Sequence, residues 1–141
     1  MLSINTCGFK PSDKEKIQII LNSCERLSID IILLNETNIK WIPWNQDKIK
    51  RKLRRLKREI HIKTMDSGRW DLTKKEWLPG RVLSAVRGKV ISLIEIEETA
   101  KGKYENWITL KLKSNSKTLL IINIYRIPTT TPSEGTYSSL I

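Results

Sequence analysis

The sequence has little of the side chains that build disulfide frameworks, metal clusters and membrane spans. Its 141 residues include one histidine and two cysteines, Cys7 and Cys24. The cysteines lack zinc-ligand spacing and have no histidine close by, so we expect two reduced, partly buried thiols. No apolar run approaches the roughly 18 residues of a membrane span, and the N-terminus lacks the basic and apolar regions of a secretory signal. We therefore expect an intracellular protein without a membrane interaction.

Positive charge is abundant and concentrated in one segment. Lys and Arg number 26 against 15 Asp and Glu, and 39% of the residues are hydrophobic, which suits one domain with a core of its own. The segment Lys48–Arg58 carries eight basic and no acidic side chains. Apolar residues recur there at i, i+4, i+7 and i+11, namely Ile49, Leu53, Leu56 and Ile60. This spacing predicts an amphipathic basic helix over Lys48–Ile60.

The basic helix has several interpretations. It can neutralise a phosphate backbone and release counterions, in which case the candidate nucleic-acid-binding residues are Lys48, Lys50, Arg51, Lys52, Arg54, Arg55, Lys57 and Arg58. It can equally be a solvated face, a nuclear-localisation patch or a membrane-surface helix. Trp41 or Trp44 could stack on an unpaired base beside it, or anchor the core or a loop.

Hydrophobic periodicity predicts an α+β domain. A strand over Leu2–Asn5 precedes a helix that begins at Ser12, where Glu15 completes a capping box, and ends near Leu27. A buried strand over Ile29–Leu34 and a turn at Trp41–Asn45 follow. Another short strand is expected over Ile60–Thr64. The β-rich runs of the second half, which suit antiparallel hairpins or a meander, are Val82–Val86, Lys89–Ile96, Trp107–Lys113 and Thr118–Tyr125. Ile108, Leu110 and Leu112 alternate with polar residues, so their strand should be half exposed.

Three apolar strands end in polar residues that could carry chemistry. Asn5 follows Ile4, Glu36 follows the run at Ile31–Leu34 and its Asn35, and Tyr125 follows Ile124. A carboxylate at a strand end can bind Mg²⁺, an amide can orient that carboxylate or a phosphate oxygen, and a phenol can donate to a developing charge. The alternatives are a solvated strand terminus, a turn residue and a core aromatic with a satisfied hydroxyl.

The order of these pieces resembles the endonuclease/exonuclease/phosphatase superfamily. The segments that carry the resemblance are Leu2-Ser3-Ile4-Asn5, Leu34-Asn35-Glu36-Thr37, Leu78-Pro79-Gly80 and Asn123-Ile124-Tyr125-Arg126-Ile127-Pro128. The closest similarity is to the apurinic-like endonuclease domain of non-LTR retrotransposons. The resemblance implies a DNase I-like fold, a two-sheet β-sandwich of mixed and antiparallel strands flanked by helices. It also implies cleavage of DNA phosphodiesters with Mg²⁺ or Mn²⁺.

The resemblance assigns roles to three candidate catalytic residues. Glu36 would bind the metal ion, Asn5 would support metal and phosphate binding, and Tyr125 would position the phosphate. Two later family motifs, Gly-Asp-x-Asn and Ser-Asp-His, do not occur in the sequence, and His61 does not match the family's histidine but suits a structural role. Arg81 stands where a second glycine is expected after Leu-Pro-Gly, so that loop could be altered. Whether the chain is an enzyme therefore stays open.

These departures predict an incomplete domain. We expect residues 1–128 to form the N-terminal part of an endonuclease-like domain and residues 129–141 to form a loose polar tail. Cleavage of DNA should be weak or absent, because a base and a histidine are missing from the catalytic unit. Exposed sheet edges could bind a second copy or the missing C-terminal half. The alternative function is a non-catalytic basic nucleic-acid-binding module, and the nucleus is a candidate location for either.

Overall fold

Nine strands, two α-helices and one 3₁₀ helix occur in the part of the chain that the computed structural model describes, which is residues 1–8, 13–54, 59–65, 70–71, 76–77, 81–102 and 105–126. The first half contains β1 (Leu2–Asn5), α1 (Lys14–Arg26), β2 (Ile31–Asn35), α2 (Pro43–Leu53), β3 (Ile60–Met65), β4 (Trp70–Asp71) and β5 (Glu76–Trp77). The second half contains β6 (Val82–Arg87), the 3₁₀ helix (Gly88–Leu93), β7 (Ile94–Lys101), β8 (Glu105–Ser114) and β9 (Lys117–Arg126).

The first sheet has four strands in the order β1-β2-β6-β3. Only β1 and β2 run parallel, because α1 connects them as a crossover, and β6 pairs antiparallel with both of its neighbours. One face of this sheet packs against α1 and α2 around Ile32, Leu34, Leu83, Ile49 and Leu53, all nearly inaccessible to solvent. These side chains form the core between the helices and the sheet.

The second sheet has three antiparallel strands in the order β7-β8-β9. It packs on the other face of the first sheet around a second core that includes Leu33, Val82, Val86, Ile108 and Leu110. The predicted α+β class with two sheets is therefore confirmed, and the two sheets are open, with four and three strands. The alternation along β8 is confirmed as well, since Ile108, Leu110 and Leu112 are buried and the intervening residues are more exposed.

The cap of α1 differs from the predicted one. Asp13, not Ser12, precedes the first helical residue, and its carboxylate accepts a hydrogen bond from the Lys16 N–H at 3.1 Å. A carboxylate at this position also interacts favourably with the positive end of the helix dipole. Ser12 lies outside the described residues. The predicted end of this helix is correct to within a residue.

The basic helix is placed earlier than predicted. It spans Pro43–Leu53, so the segment interpreted as a turn already contains its first residues, and Ile60 belongs to β3. Pro43 occupies the first turn, where its missing N–H has no intrahelical partner to lose. Ile49 and Leu53 are buried as the apolar spacing predicted, whereas Leu56 lies outside the described residues.

The strand predicted over Lys89–Ile96 is wrong in its first half. Gly88 has φ +61, and the chain then forms the 3₁₀ helix up to Leu93 before β7 begins. The Ser92 hydroxyl donates to the Lys89 carbonyl at 2.8 Å, and such a local bond competes with a strand ladder. The other predicted strands are confirmed, each extended by one or two residues at one or both ends, and these are Ile60–Thr64, Val82–Val86, Trp107–Lys113 and Thr118–Tyr125.

The outer face of the second sheet carries apolar side chains. Leu120, Ile122 and Ile124 on β9 are 58%, 53% and 41% exposed. Within the described ranges β9 pairs with β8 alone, which leaves one edge of β9 unpaired. The predicted exposure of a sheet edge therefore holds for this part of the chain. The predicted tail, residues 129–141, lies outside the described residues. No described helix has the length and hydropathy needed to cross a membrane.

Candidate functional site

Two of the predicted site residues follow neighbouring parallel strands. Asn5 ends β1 opposite Asn35 of β2, and Glu36 comes directly after Asn35. The loop after β1 is bonded to this strand end, because Thr6 N–H donates to the Asn35 carbonyl at 3.0 Å and Gly8 N–H to the Glu36 carbonyl at 2.9 Å. The Thr6 hydroxyl also lies 3.0 Å from the Glu36 carbonyl. Asn5 and Glu36 are thus brought together.

The backbone around this strand end is left-handed at three residues other than glycine. Cys7 has φ +46, Glu36 has φ +53 and Asn38 has φ +53. Such conformations cost on the order of 1–3 kcal/mol each and concentrate at functional sites. Thr37 holds the segment in place, since its side chain is fully buried. Its N–H and hydroxyl both donate to the Arg81 carbonyl, at 3.0 and 3.2 Å.

Arg81 and Lys16 support the two loops. Arg81, where the resemblance expected a glycine, is buried, and its carbonyl anchors Thr37 beside Glu36. The Lys16 ammonium donates to the Thr6 and Gly8 carbonyls at 3.1 and 2.6 Å, and so holds the loop after β1. Lys16 is not among the site residues predicted from the sequence, although its place in the first turn of the crossover helix puts it near the end of β1.

Asn5 shapes its own loop. Its Oδ1 accepts a hydrogen bond from the Cys7 N–H at 3.0 Å, which forms an Asx turn. The side chain is exposed, and an amide oxygen has two lone pairs, so a second contact is available to it. Asn5 can therefore support a neighbouring ligand without losing its structural bond.

Tyr125 reaches the same region from the second sheet. Its strand packs against β2 and β6, and the Asn123 amide donates across the sheets to the Leu83 carbonyl at 2.9 Å and the Ser84 hydroxyl at 3.2 Å. Burial raises the pKa of the Tyr125 phenol, and the charges of Glu36 and Cys7 raise this pKa further. Tyr125 packs against the core between the two sheets, so its side chain faces the first sheet.

The donor atoms at this site suit a hard cation. Glu36 offers a carboxylate and Asn5 an amide oxygen, and Mg²⁺ commonly takes one or two carboxylates together with water and phosphate oxygens. The Asn35 Oδ1 is buried and has no hydrogen-bond partner among the described residues, so this oxygen is a further candidate ligand for a cation. In the described ranges no group of three or more His, Cys, Asp or Glu residues gathers. These oxygen atoms fit a Mg²⁺ or Mn²⁺ site in which the protein supplies one carboxylate ligand.

Asn35 was missed as a site residue by the sequence analysis. Ile31 and Leu33 belong to the core between the sheets, whereas Ile32 and Leu34 belong to the core under the helices. Period-two alternation therefore directs Asn35 towards the second sheet and Tyr125. The alternation along β2 is visible in the sequence, but it identifies Asn35 only once the face covered by the second sheet is known.

The described members of the predicted nucleic-acid-binding set belong to α2 and to its C-cap residue, Arg54. Lys50, Arg51 and Arg54 of the α2 segment are exposed, Lys48 and Lys52 are half-buried, and Arg55, Lys57 and Arg58 lie outside the described residues. The helix covers the face of the first sheet opposite to the second sheet. Among the described residues, no hydrogen bond or ion pair joins the exposed cations Lys50, Arg51 and Arg54 to Asn5, Glu36 or Tyr125.

The two tryptophans beside the basic helix differ in exposure. Trp41 is 8% exposed and belongs to the core under the helices, so of the two roles considered for it the core anchor is the one that the structure shows. Trp44 is 66% exposed, and the Arg51 guanidinium lies over its ring at 5.9 Å from the centroid. Only Trp44 remains available for stacking.

His61 and Cys24 make no contact with Asn5 or Glu36 among the described residues, whereas Cys7 lies in the loop after β1, where its N–H donates to Asn5. His61 Nε2 lies 2.5 Å from Glu97 Oε2, and Lys63 Nζ lies 3.4 Å from the other oxygen, so these contacts connect β3 to β7 across the sheets. Both cysteines are free, but Cys7 is exposed, which corrects the expectation that it is partly buried. Burial raises the pKa of the Cys24 thiol.

Comparison with known proteins assigns no family to the chain. No protein-family model matches the sequence, and no curated protein matches it significantly. The site is therefore interpreted from its own geometry: a carboxylate, two amides and a phenol contributed by β1, β2 and β9.

Proposed function

We propose that the chain is an endonuclease/exonuclease/phosphatase-like domain of the retrotransposon type. In this proposal it binds a divalent cation and a nucleic-acid phosphate at the site formed by Asn5, Glu36 and Tyr125. The observation that carries the proposal is that Asn5 and Glu36 lie at neighbouring strand ends of the first sheet, while Tyr125, 120 positions after Asn5 (125 minus 5), lies on the strand of the second sheet that packs against β2 and β6. Two sheets with a shared core and helices on one face support a DNase I-like fold.

The residues of the site have distinct roles in this proposal. Glu36 would hold Mg²⁺ or Mn²⁺, with the amide oxygens of Asn5 and Asn35 beside it, and the bound cation would supply neutralisation of phosphate charge. Tyr125 would donate its phenol proton to a non-bridging phosphate oxygen. A tyrosine phenol, with an ordinary pKa of about 10, is protonated at neutral pH, so this donor is available, and burial together with the charges of Glu36 and Cys7 raises the pKa of Tyr125 further.

Hydrolysis by this chain should be weak or absent. The sequence has no Gly-Asp-x-Asn and no Ser-Asp-His, so the base and the histidine that the resemblance calls for are missing. His61 cannot replace the missing histidine, because its ring is engaged by Glu97 in the link between β3 and β7. Members of one catalytic unit act together, so binding would persist while the rate of cleavage falls close to background.

The proposal is tested by measuring metal binding and plasmid nicking with the same protein. We expect Mn²⁺ to bind the wild-type chain in calorimetry, and we expect Glu36→Gln to abolish that binding. Glu98→Gln is the matched control, because it removes the same charge from an exposed position on β7. Nicking of supercoiled plasmid with Mg²⁺ should stay near the level seen with EDTA. Mn²⁺ binding that survives Glu36→Gln, or strong Mg²⁺-dependent nicking, would overturn the proposal.

A non-catalytic basic nucleic-acid-binding module is the second candidate function. It is favoured by α2, where Lys48, Lys50, Arg51 and Arg54 form no ion pair with any other described residue. The two functions separate by metal dependence. Binding to DNA that weakens with salt and is unchanged by Glu36→Gln and by EDTA would support the module alone.

A further inference from the structure

An exposed tryptophan lies at the N-terminal end of the basic face of α2. Trp44 is the second residue of the helix, and positions four and seven further on carry Lys48 and Arg51. Residues at this spacing share one helix face. The opposite face is fixed to the protein, since Ile49 and Leu53 are buried and the Gln46 amide donates to the Thr64 hydroxyl at 2.8 Å. The orientation of Trp44 towards solvent follows from this docking.

The charge around Trp44 is of one sign except for a single carboxylate. Asp47 is the only acidic residue of α2. Lys50, Arg51 and Arg54 are exposed and form no ion pair with any described residue. The Arg51 guanidinium covers part of the indole at 5.9 Å from its centroid and donates to the Asp47 carbonyl at 3.4 Å. The ring is thereby held beside a cation.

Two shallow grooves border the indole. One has a volume of about 390 Å³ and is lined by Trp44, Lys48, Arg51 and Lys52. The other has a volume of about 350 Å³ and is lined by Trp44, Asp47, Lys50, Arg51 and Arg54. A strand of nucleic acid that crosses the helix would have basic side chains on both sides of an aromatic ring. Stacking rings inside basic grooves are the features of single-strand binding sites.

We propose that this face of α2 binds single-stranded nucleic acid by stacking one unpaired base on Trp44. Lys48, Lys50, Arg51 and Arg54 neutralise the flanking phosphates. The inference extends the nucleic-acid binding in the proposed function but does not depend on the Glu36 site, because it uses none of the residues of that site. It predicts a preference for unpaired strands over duplex, because the bases of a duplex are stacked on one another and expose no free face.

A lipid surface is the less favoured partner for the same residues. An interfacial helix inserts a broad apolar face below the lipid headgroups. In α2 the apolar residues Ile49 and Leu53 are 1% and 2% exposed and packed in the core, so Trp44 is the one large apolar side chain left on the basic face. A surface with one indole ring surrounded by cations is better suited to bind a nucleic-acid base and its two flanking phosphates than to insert into a bilayer.

The test compares two oligonucleotides that differ only in pairing. A labelled poly(dT) strand and a blunt duplex are titrated with the full chain by fluorescence anisotropy, at low and moderate salt. We expect Trp44→Leu to weaken poly(dT) binding by about tenfold, the order that loss of one base–aromatic stack gives, and to leave duplex binding within twofold. Trp44→Phe should restore most of the loss, because phenylalanine also offers an aromatic face.

Three controls keep the outcome interpretable. Trp107→Leu removes a tryptophan from the other sheet and should not change binding, and circular dichroism establishes that each variant folds. Lys50→Gln should weaken both oligonucleotides alike, whereas Lys117→Gln, the same charge change on β9, should weaken neither. Vesicles with anionic lipid should show no dependence on Trp44.

Four results would overturn the inference. These are equal affinity of Trp44→Leu and wild type for poly(dT), the same loss on duplex, a Trp44 dependence confined to vesicles, and no nucleic-acid binding at all. Mn²⁺ binding that requires Glu36 can survive each of these results. Failure of this inference and failure of the proposed metal site are therefore distinguishable.

Discussion

Asn123 should be a main determinant of how the two sheets dock at the site. It is 2% exposed on β9, and its amide makes two hydrogen bonds to β6, at 2.9 Å to the Leu83 carbonyl and 3.2 Å to the Ser84 hydroxyl. Each bond contributes about 0.5–1.5 kcal/mol net, and truncation also leaves a small void. We therefore expect Asn123→Ala to lower the free energy of unfolding by about 2–3 kcal/mol.

The effect can be measured by urea denaturation with tryptophan fluorescence and by thermal melting. For a domain of this size the predicted loss lowers the melting temperature by about 6–10 °C. Asn22→Ala is the matched control, because Asn22 is an exposed amide on α1, and the change should alter stability by less than about 0.5 kcal/mol. Coupling between Asn123→Ala and Ser84→Ala in a double-mutant cycle would assign part of the loss to their mutual bond. A change for Asn123→Ala as small as that of the control would refute the reasoning.

Three further predictions concern ionisation, thiol access and association. The pKa of Tyr125 is raised by burial and then by Glu36 and Cys7, so Glu36→Gln should lower that pKa in an absorbance titration. A titration curve of Glu36→Gln that overlays the wild-type curve would contradict this prediction. Because the folded-state pKa of Tyr125 lies above the unfolded value of about 10, Tyr125 contributes stability that is fully present below about pH 10. This contribution is lost as the pH rises through the folded-state pKa. Iodoacetamide should label exposed Cys7 in the native chain and spare Cys24, which is 1% exposed, and mass spectrometry showing equal labelling would refute that order. Ile122→Lys on the outer face of β9 should reduce any concentration-dependent association in sedimentation velocity without lowering the melting temperature, and unchanged association would remove that face from consideration.

Much of the fold could be predicted because burial leaves a periodic trace in the sequence. The alternation along β8 and the apolar run of β2 each predict a strand, since one or both faces of these strands are covered. The helix α1 was predicted from its apolar stripe, and Ile17, Ile20, Leu21 and Cys24 are its buried residues. In these three elements the tertiary packing favours the same secondary structure as the local sequence pattern.

The errors fall where local hydrogen bonds or backbone geometry override periodicity. The segment over Gly88–Leu93 contains strand-forming residues, but the left-handed glycine and the Ser92 bond favour a 3₁₀ helix. The start of α2 at Pro43 depends on a backbone preference that the apolar stripe does not report. Element ends are set by such contacts, so patterns of burial do not locate them.

The candidate site was only partly predictable from the sequence. Asn5, Glu36 and Tyr125 were selected as polar ends of apolar strands, and the resemblance supplied their roles. The roles of Asn35 and Lys16 depend on which face meets the second sheet and where the crossover helix lies, and these are tertiary facts. The same applies to Trp41 and Trp44, because the sequence does not predict that Trp41 is buried in the core and Trp44 is exposed.

The central claim, that Glu36 holds a divalent cation between the loop after β1 and the end of β9, is most directly tested by paramagnetic Mn²⁺ in an NMR titration of the labelled chain. The account predicts selective broadening of the amide signals of Cys7, Glu36 and Tyr125 at low Mn²⁺, and loss of that broadening in Glu36→Gln. Broadening centred on another group of residues, or unchanged by Glu36→Gln, would contradict the account.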